Sequence, residues 1–231
     1  MTNLSLTFNE MRTHRVLGAS AQDRPANDCG DTPTELLDAL VKMSLLAPGD
    51  RPKITTVENA GFSEIYRVEL GWGTVCVKRA LPRIRFSADA MLPVERSNLE
   101  YEWLKLARDV LGEAVPAVLG EHPGLFAMDY LDPARHMSWS RQLRGGDINP
   151  STAAEIGRMI GRMHAATANN FAVAQRFATD RVFHVARLEP LLLATAAAQP
   201  SVGAWLKQLA INTGRTRLAL IHGDFSPENL L

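Results

Sequence analysis

The chain has 231 residues, 46% of them hydrophobic and 22% charged, and Lys+Arg and Asp+Glu both number 25. That length can bury a sizeable core in one large domain or two small lobes, and the balanced charge excludes an overall field that would favour nucleic acid or an anionic membrane. Cys29 and Cys76 form no CxxC, the N-terminus has no secretory pattern, and no apolar stretch approaches the ~20 residues of a membrane span, so a soluble protein of the reducing cytoplasm is expected, without a disulfide framework or zinc site.

Residues 1–30 mix polar and apolar side chains without a period and are expected to form a loose arm. Thr32-Pro33-Thr34-Glu35 then reads as a capping box, with Thr32 as N-cap and Pro33 at the first helical position. Leu36, Leu37, Leu40, Val41 and Leu45 follow at helical spacing until "APGD" stops the helix. From Lys53 to Lys78 the pattern turns extended. "KITTVEN", "SEIYRVEL" and "TVCVKRA" predict two or three antiparallel strands, with Ala60-Gly61-Phe62-Ser63 at the first bend and Gly71-Trp72-Gly73 at the second.

Pro93 to about Leu111 is expected to be helical, with Leu99, Trp103, Leu106 and Val110 on one stripe. "AVPAVLGEHPGLFAMDYL" reads as a hairpin turning at His122-Pro123-Gly124. After Asp132-Pro133 the character becomes helical. Thr152-Ala153-Ala154-Glu155 reads as a second capping box, and Gly157 and Gly161 one turn apart suggest a face where another helix packs closely. Arg187–Ala198 and Val202–Ile211 are expected to be helices, and "RLALIHG" a strand leading into a loop. A β-rich first half and a helical second half predict two lobes with a cleft between them: residues 31–131 and 132–231.

Three constellations could carry chemistry. His222-Gly223-Asp224, four residues and then Asn229 has the H-x-D-x-x-x-x-N spacing of a phosphotransfer loop. Such chemistry needs a carboxylate within reach of the attacking hydroxyl and an oxygen ligand for the metal on the phosphates. Lys78 ends an apolar strand, where an ammonium facing a cleft can pair with nucleotide phosphates, and Gly61 upstream lets backbone N–H groups approach a phosphate. Glu95, Glu100 and Glu102 could each hold Lys78. Glu100 shares a face with Leu104 and Ala107, Glu102 with Leu106, and periodicity does not choose between them.

Taken in order, "GFSEIYRVE", "CVKRA", "LEYEWLKLA", "VPAVL", "FAMDYLD", "IGRMIGRMHAAT" and "LIHGDFSPENLL" resemble the aminoglycoside phosphotransferase / choline kinase-like superfamily of small-molecule kinases, over about Thr32 to Leu231. The resemblance implies an α+β, bilobal, protein-kinase-like fold with ATP and Mg²⁺ in the cleft and a small-molecule hydroxyl as acceptor. It implies Asp224 as catalytic aspartate, His222 as support for its loop, Asn229 as magnesium ligand, and Lys78 on the α- and β-phosphates with Glu100 as its expected partner. Gly61 and Ser63 fall in the phosphate-covering hairpin, and Met128, Asp129 and Tyr130 in the interlobe segment whose backbone holds adenine.

The family also carries a second metal-binding aspartate just after the catalytic loop, and helices beyond it. The chain ends before that residue, so an incomplete helical lobe is expected. An alternative expectation is therefore a non-catalytic nucleotide- or partner-binding module, or an inactive fragment. A metal-dependent hydrolase built on His222 and Asp224 is disfavoured, because His136, His164 and His184 show no HxH or HExxH spacing. The acceptor's identity and the oligomeric state are not legible.

Overall fold

The computed structural model describes residues 34–60, 63–82 and 92–231. The expected arm, Thr32, Pro33 and Gly61 lie outside the described residues. Strands β1 (Lys53–Ala60), β2 (Ser63–Leu70), β3 (Gly73–Ala80), β4 (Val118–His122) and β5 (Leu125–Asp129) form one antiparallel sheet in the order β1-β2-β3-β5-β4. Helix α1 (Thr34–Lys42) precedes the sheet in sequence, and α2 (Arg96–Leu111) lies between β3 and β4. Then come α3 (Trp139–Arg144), α4 (Pro150–Thr167), α5 (Phe171–Arg176), α6 (Asp180–Phe183), a π-helical stretch His184–Leu193, α7 (Ala194–Ala198) and α8 (Pro200–Arg215). The α+β class, strands first and helices after, is the expected one.

The two-residue period of a strand decides what β3 presents to each side. Val75 and Val77 point to one face and pack with Leu36, Ala39 and Leu40 of α1. Cys76 points to the other, where Phe126 and Met128 of β5 meet Trp103, Leu104, Ala107 and Leu111 of α2. Each fully buried side chain of this size contributes about 1.5–3 kcal/mol, so α2 is fixed against the sheet by its apolar stripe. Ile156, Met159 and Met163 of α4 join the same cluster, as does Leu230. The core is therefore continuous from the sheet, through α2, to the helical half and the chain's final loop.

Several elements depart from expectation. The buried stripe of α2 is Trp103, Leu104, Ala107 and Leu111, while Leu99, Leu106 and Val110 are only part-buried. The Thr152 capping box does not form: α4 begins a turn earlier, with Asn149 as N-cap accepting from the Ser151 N–H and Pro150 next to it. A capping side chain plus proline at the first turn outcompetes the internal Thr-x-x-Glu pattern. Gly157 and Gly161 are exposed, and no atom lies within 4 Å of where their Cβ would be, so among the described residues no helix packs on that face.

The helix expected from Arg187 begins at Asp180, and its middle is π-helical with Pro190 inside. Proline cannot donate an N–H and crowds the preceding turn, which favours the wider winding. Residues 216–226, including "RLALIHG", form no strand. Without a neighbouring strand, they are tied instead by the Leu220 N–H to Thr167 Oγ1 (3.1 Å) and the Asn169 N–H to the Leu218 carbonyl (3.1 Å).

Candidate functional site

Lys78 lies on the α2 side of β3, opposite Ile65 of β2 and Phe126 of β5. Its side chain is 2% exposed, and Nζ donates to Glu100 Oε1 at 2.5 Å. Burying an ammonium at that depth is costly without compensating partners, and Glu100 supplies one. Glu100 reaches it because it shares the inward face of α2 with Leu104 and Ala107. The other two glutamates are elsewhere: Glu95 is exposed at the start of α2, and Glu102 pairs with Arg176 and Lys105. The opposite alternation sends Arg79 to Glu35 of α1, 3.0 Å away. Cys76 is buried beside Lys78, and burial pushes its thiol up to about 12, so it is no nucleophile at neutral pH.

The second half of the site is the loop after residue 220. Gly223 has φ +78°, a conformation open to glycine at little cost, which explains the residue between His222 and Asp224. The His222 ring stands edge-to-face against Trp103 of α2 (centroids 4.9 Å apart) and against Phe225 (5.8 Å). The Asp224 N–H donates to His222 Nδ1 at 3.3 Å, which requires Nδ1 to be the unprotonated ring nitrogen. Asn229 is buried, and its Nδ2 donates to the Asp224 carbonyl at 2.6 Å. With the amide nitrogen so committed, the amide oxygen is the Asn229 atom chemically suited to a magnesium ion.

The loop is clamped to α3 at its far end. The Trp139 N–H donates to the Leu230 carbonyl (2.8 Å), Ser140 Oγ donates to Glu228 Oε1 (2.9 Å), and Arg144 lies 3.4 Å from the same oxygen. Burial opposes ionisation of Glu228. Hydrogen bonds from Ser140, its own backbone and Ser226, with the Arg144 charge, outweigh that and hold its carboxyl below the usual range.

Sequence reasoning missed one residue altogether. Arg187, on the π-helical stretch, places Nη2 2.9 Å from Asp224 Oδ2, and both side chains are 11% exposed. Its Nη1 is buried with no hydrogen-bond partner among the described residues. An arginine on a helix reads as a solvated cation, so the pattern held no signal for this contact.

The remaining expected residues fall as follows. Ser63 is buried at the start of β2, opposite Ala60 and Ala80. Met128 and Asp129 belong to β5 rather than to a linker, and irregular chain begins at Tyr130. The Asp129 N–H donates to the Ala117 carbonyl (2.8 Å), and its carboxylate accepts from the Ala117 N–H (2.7 Å). Tyr130 has Arg67 stacked 5.4 Å from its ring centre. A cleft of about 500 Å³ opens beside this assembly, bordered by Glu100 and Trp103 of α2, by Arg187, and by His222-Gly223. Among the described residues, no helix is long and apolar enough to cross a membrane, and no three His, Cys, Asp or Glu side chains cluster as metal ligands.

No protein-family profile matches the chain, and no curated protein matches it. Among solved structures it is similar to a candidate fructosamine-3-kinase from Thermobifida fusca YX-ER1, at 22% identity and TM-score 0.45, over 80% of this chain and 65% of that one. It is also similar to an ethanolamine kinase from Plasmodium vivax, at 11% identity and TM-score 0.41, over 79% of this chain and 43% of that one. The chain thus spans less than two thirds of the length of either. Likeness at this level carries no functional weight, which falls instead on the side chains.

Proposed function

We propose that the protein is an ATP-dependent phosphotransferase with a kinase-like, two-lobed fold, moving the γ-phosphoryl of ATP to a hydroxyl of a small molecule. The observation that carries this reading is the Lys78–Glu100 pair. A lysine buried in a sheet core costs stability unless its charge serves something, and Glu100 fixes this ammonium on the α2 side of the sheet. The pair shares a continuous core with the His222–Asn229 loop, through Trp103 and Leu230.

In this reading the acceptor oxygen forms a bond to the γ-phosphorus while the bond from that phosphorus to the β–γ bridging oxygen breaks. ADP leaves, and the hydroxyl proton passes to the Asp224 carboxylate. His222 braces the loop through the Asp224 N–H and its two aromatic neighbours. Lys78 binds the α- and β-phosphates. Asn229 is the magnesium ligand the loop offers, and a bound magnesium ion would supply charge neutralisation at the phosphate oxygens. Ser63, at the start of β2, serves the phosphate-covering turn, and the chain around Met128, Asp129 and Tyr130 borders the adenine.

The test pairs Mg²⁺-dependent ATP binding by calorimetry with ADP release over a panel of small alcohols. Asp224→Ala is expected to abolish turnover and leave ATP affinity within about twofold, since general-base removal alone costs roughly 10²–10⁴ in rate. Equal turnover in the variant would sink the assignment. ATP binding without turnover in the parent protein would make it a nucleotide-binding module.

A further inference from the structure

The 500 Å³ cleft has the size of a small-molecule site and meets the loop at His222-Gly223; Lys78 and Asn229 do not line it. It therefore meets the loop beside Asp224, and touches the Lys78 pair only through Glu100. Most of its wall is apolar, including Leu92, Trp103, Phe177 and Phe183. The carboxylates that line it are already engaged: Glu100 with Lys78, and Asp180 with Arg217 at 2.8 Å. Among the described residues, each carboxylate of that lining thus already faces a cation. Arg187 differs, because one nitrogen holds Asp224 while Nη1 is enclosed and lacks an acceptor among the described residues. A buried guanidinium nitrogen without an acceptor is costly, and guanidinium matches oxyanions better than any other side chain does.

We infer that Arg187 binds the acceptor, and that the acceptor is an anionic alcohol: an apolar body carrying a carboxylate or phosphate near the hydroxyl it offers to Asp224. This deepens the phosphotransferase reading and rests on it. Because Nη1 is enclosed, the oxyanion reaches the guanidinium as Arg187 turns from Asp224 toward the cleft. The arriving acceptor thereby exchanges with Asp224 for Arg187 and releases the carboxylate to meet the hydroxyl. The π-helical winding around Pro190, irregular where an ordinary helix would be stiff, is where that turn can be absorbed.

The experiment measures binding, by calorimetry, of three aromatic alcohols of one size: 3-phenyllactate (anionic), 3-phenylpropane-1,2-diol (neutral) and phenylalaninol (cationic). Inorganic phosphate and ATP with Mg²⁺ are titrated in parallel. The wild-type chain is expected to favour phenyllactate at least tenfold over the other two, and Arg187→Gln to reduce it to the level of the diol with ATP affinity within twofold. Arg187→Lys, which keeps the charge, should retain part of the preference; Arg187→Gln/Asp224→Asn, which leaves neither charge buried alone, should lose it even where the single variant folds poorly.

No preference among the three alcohols, no binding of phenyllactate, a preference for the cation, or a preference that survives Arg187→Gln would overturn the inference. So would a tenfold loss of ATP or inorganic phosphate binding in Arg187→Gln with the phenyllactate preference intact, which would assign the guanidinium to the transferring phosphoryl. If ATP fails to bind wild type while the charge series holds, the anion site stands and the phosphotransferase reading falls.

Discussion

Lys78–Glu100 and Arg187–Asp224 are both cation–carboxylate pairs withdrawn from solvent, but they are built differently. The first joins a strand to a helix inside a sheet-and-helix core, where register and helical face dictate that the two groups meet. The second joins a loop to a π-helical stretch, and one nitrogen of its guanidinium lacks an acceptor among the described residues. A pair whose surroundings hold it in place is framework. A pair that leaves a donor unsatisfied is a contact the protein can exchange.

The largest expected effect falls on the framework pair. Lys78→Met takes the ammonium away from the Glu100 carboxylate in the core and is expected to cost about 3–5 kcal/mol, read as a lower urea midpoint. Lys78→Met/Glu100→Leu removes both charges and should recover most of that stability without recovering ATP binding. Stability tracking ATP affinity through both variants would mean that Lys78 matters only as a fold element.

Arg187→Ala sharpens the contrast at smaller magnitude. It takes the guanidinium away from Asp224 but also deletes Nη1, whose burial without an acceptor among the described residues costs about 1–3 kcal/mol. The net loss should therefore be clearly smaller than for Lys78→Met in the same urea titration. Equal losses would erase the distinction between framework and exchangeable pair.

The contrast also explains what the sequence disclosed. The alternation of "TVCVKRA" and the 3.6-residue period of α2 are local rules, so Lys78 and the inward turn of Glu100 beside Leu104 and Ala107 could be anticipated. Periodicity left Glu102 open, and only the observed packing, with Arg176 drawing Glu102 away, settled the pairing. The β4–β5 hairpin followed from its turn residues. The loop was legible through spacing, and its glycine through the positive φ. Arg187 was not legible, because nothing near it in sequence forecasts contact with a loop on another part of the chain. The strand expected at "RLALIHG" failed for a related reason: apolar alternation supplies a face, and a strand also needs a neighbour.

The smallest effect concerns the clamp on the loop. Glu228 is more than a third exposed, so its pairing with Ser140 and Arg144 contributes little on its own, and its use lies in pH dependence. Its carboxyl is held below the ordinary value on folding. The stabilisation it gives is thus complete above the unfolded value of about 4.3, and is lost as the pH falls through the lower, folded value. Glu228→Gln keeps the shape but cannot ionise, so its stability should match wild type in strong acid and fall slightly below it near neutrality. Thermal melts of both proteins across acid pH read this directly. Melting curves that stay parallel from neutral to acid pH would show that Glu228 does not tie the Asp224 loop to α3, and would assign that tie to the Trp139 N–H on the Leu230 carbonyl.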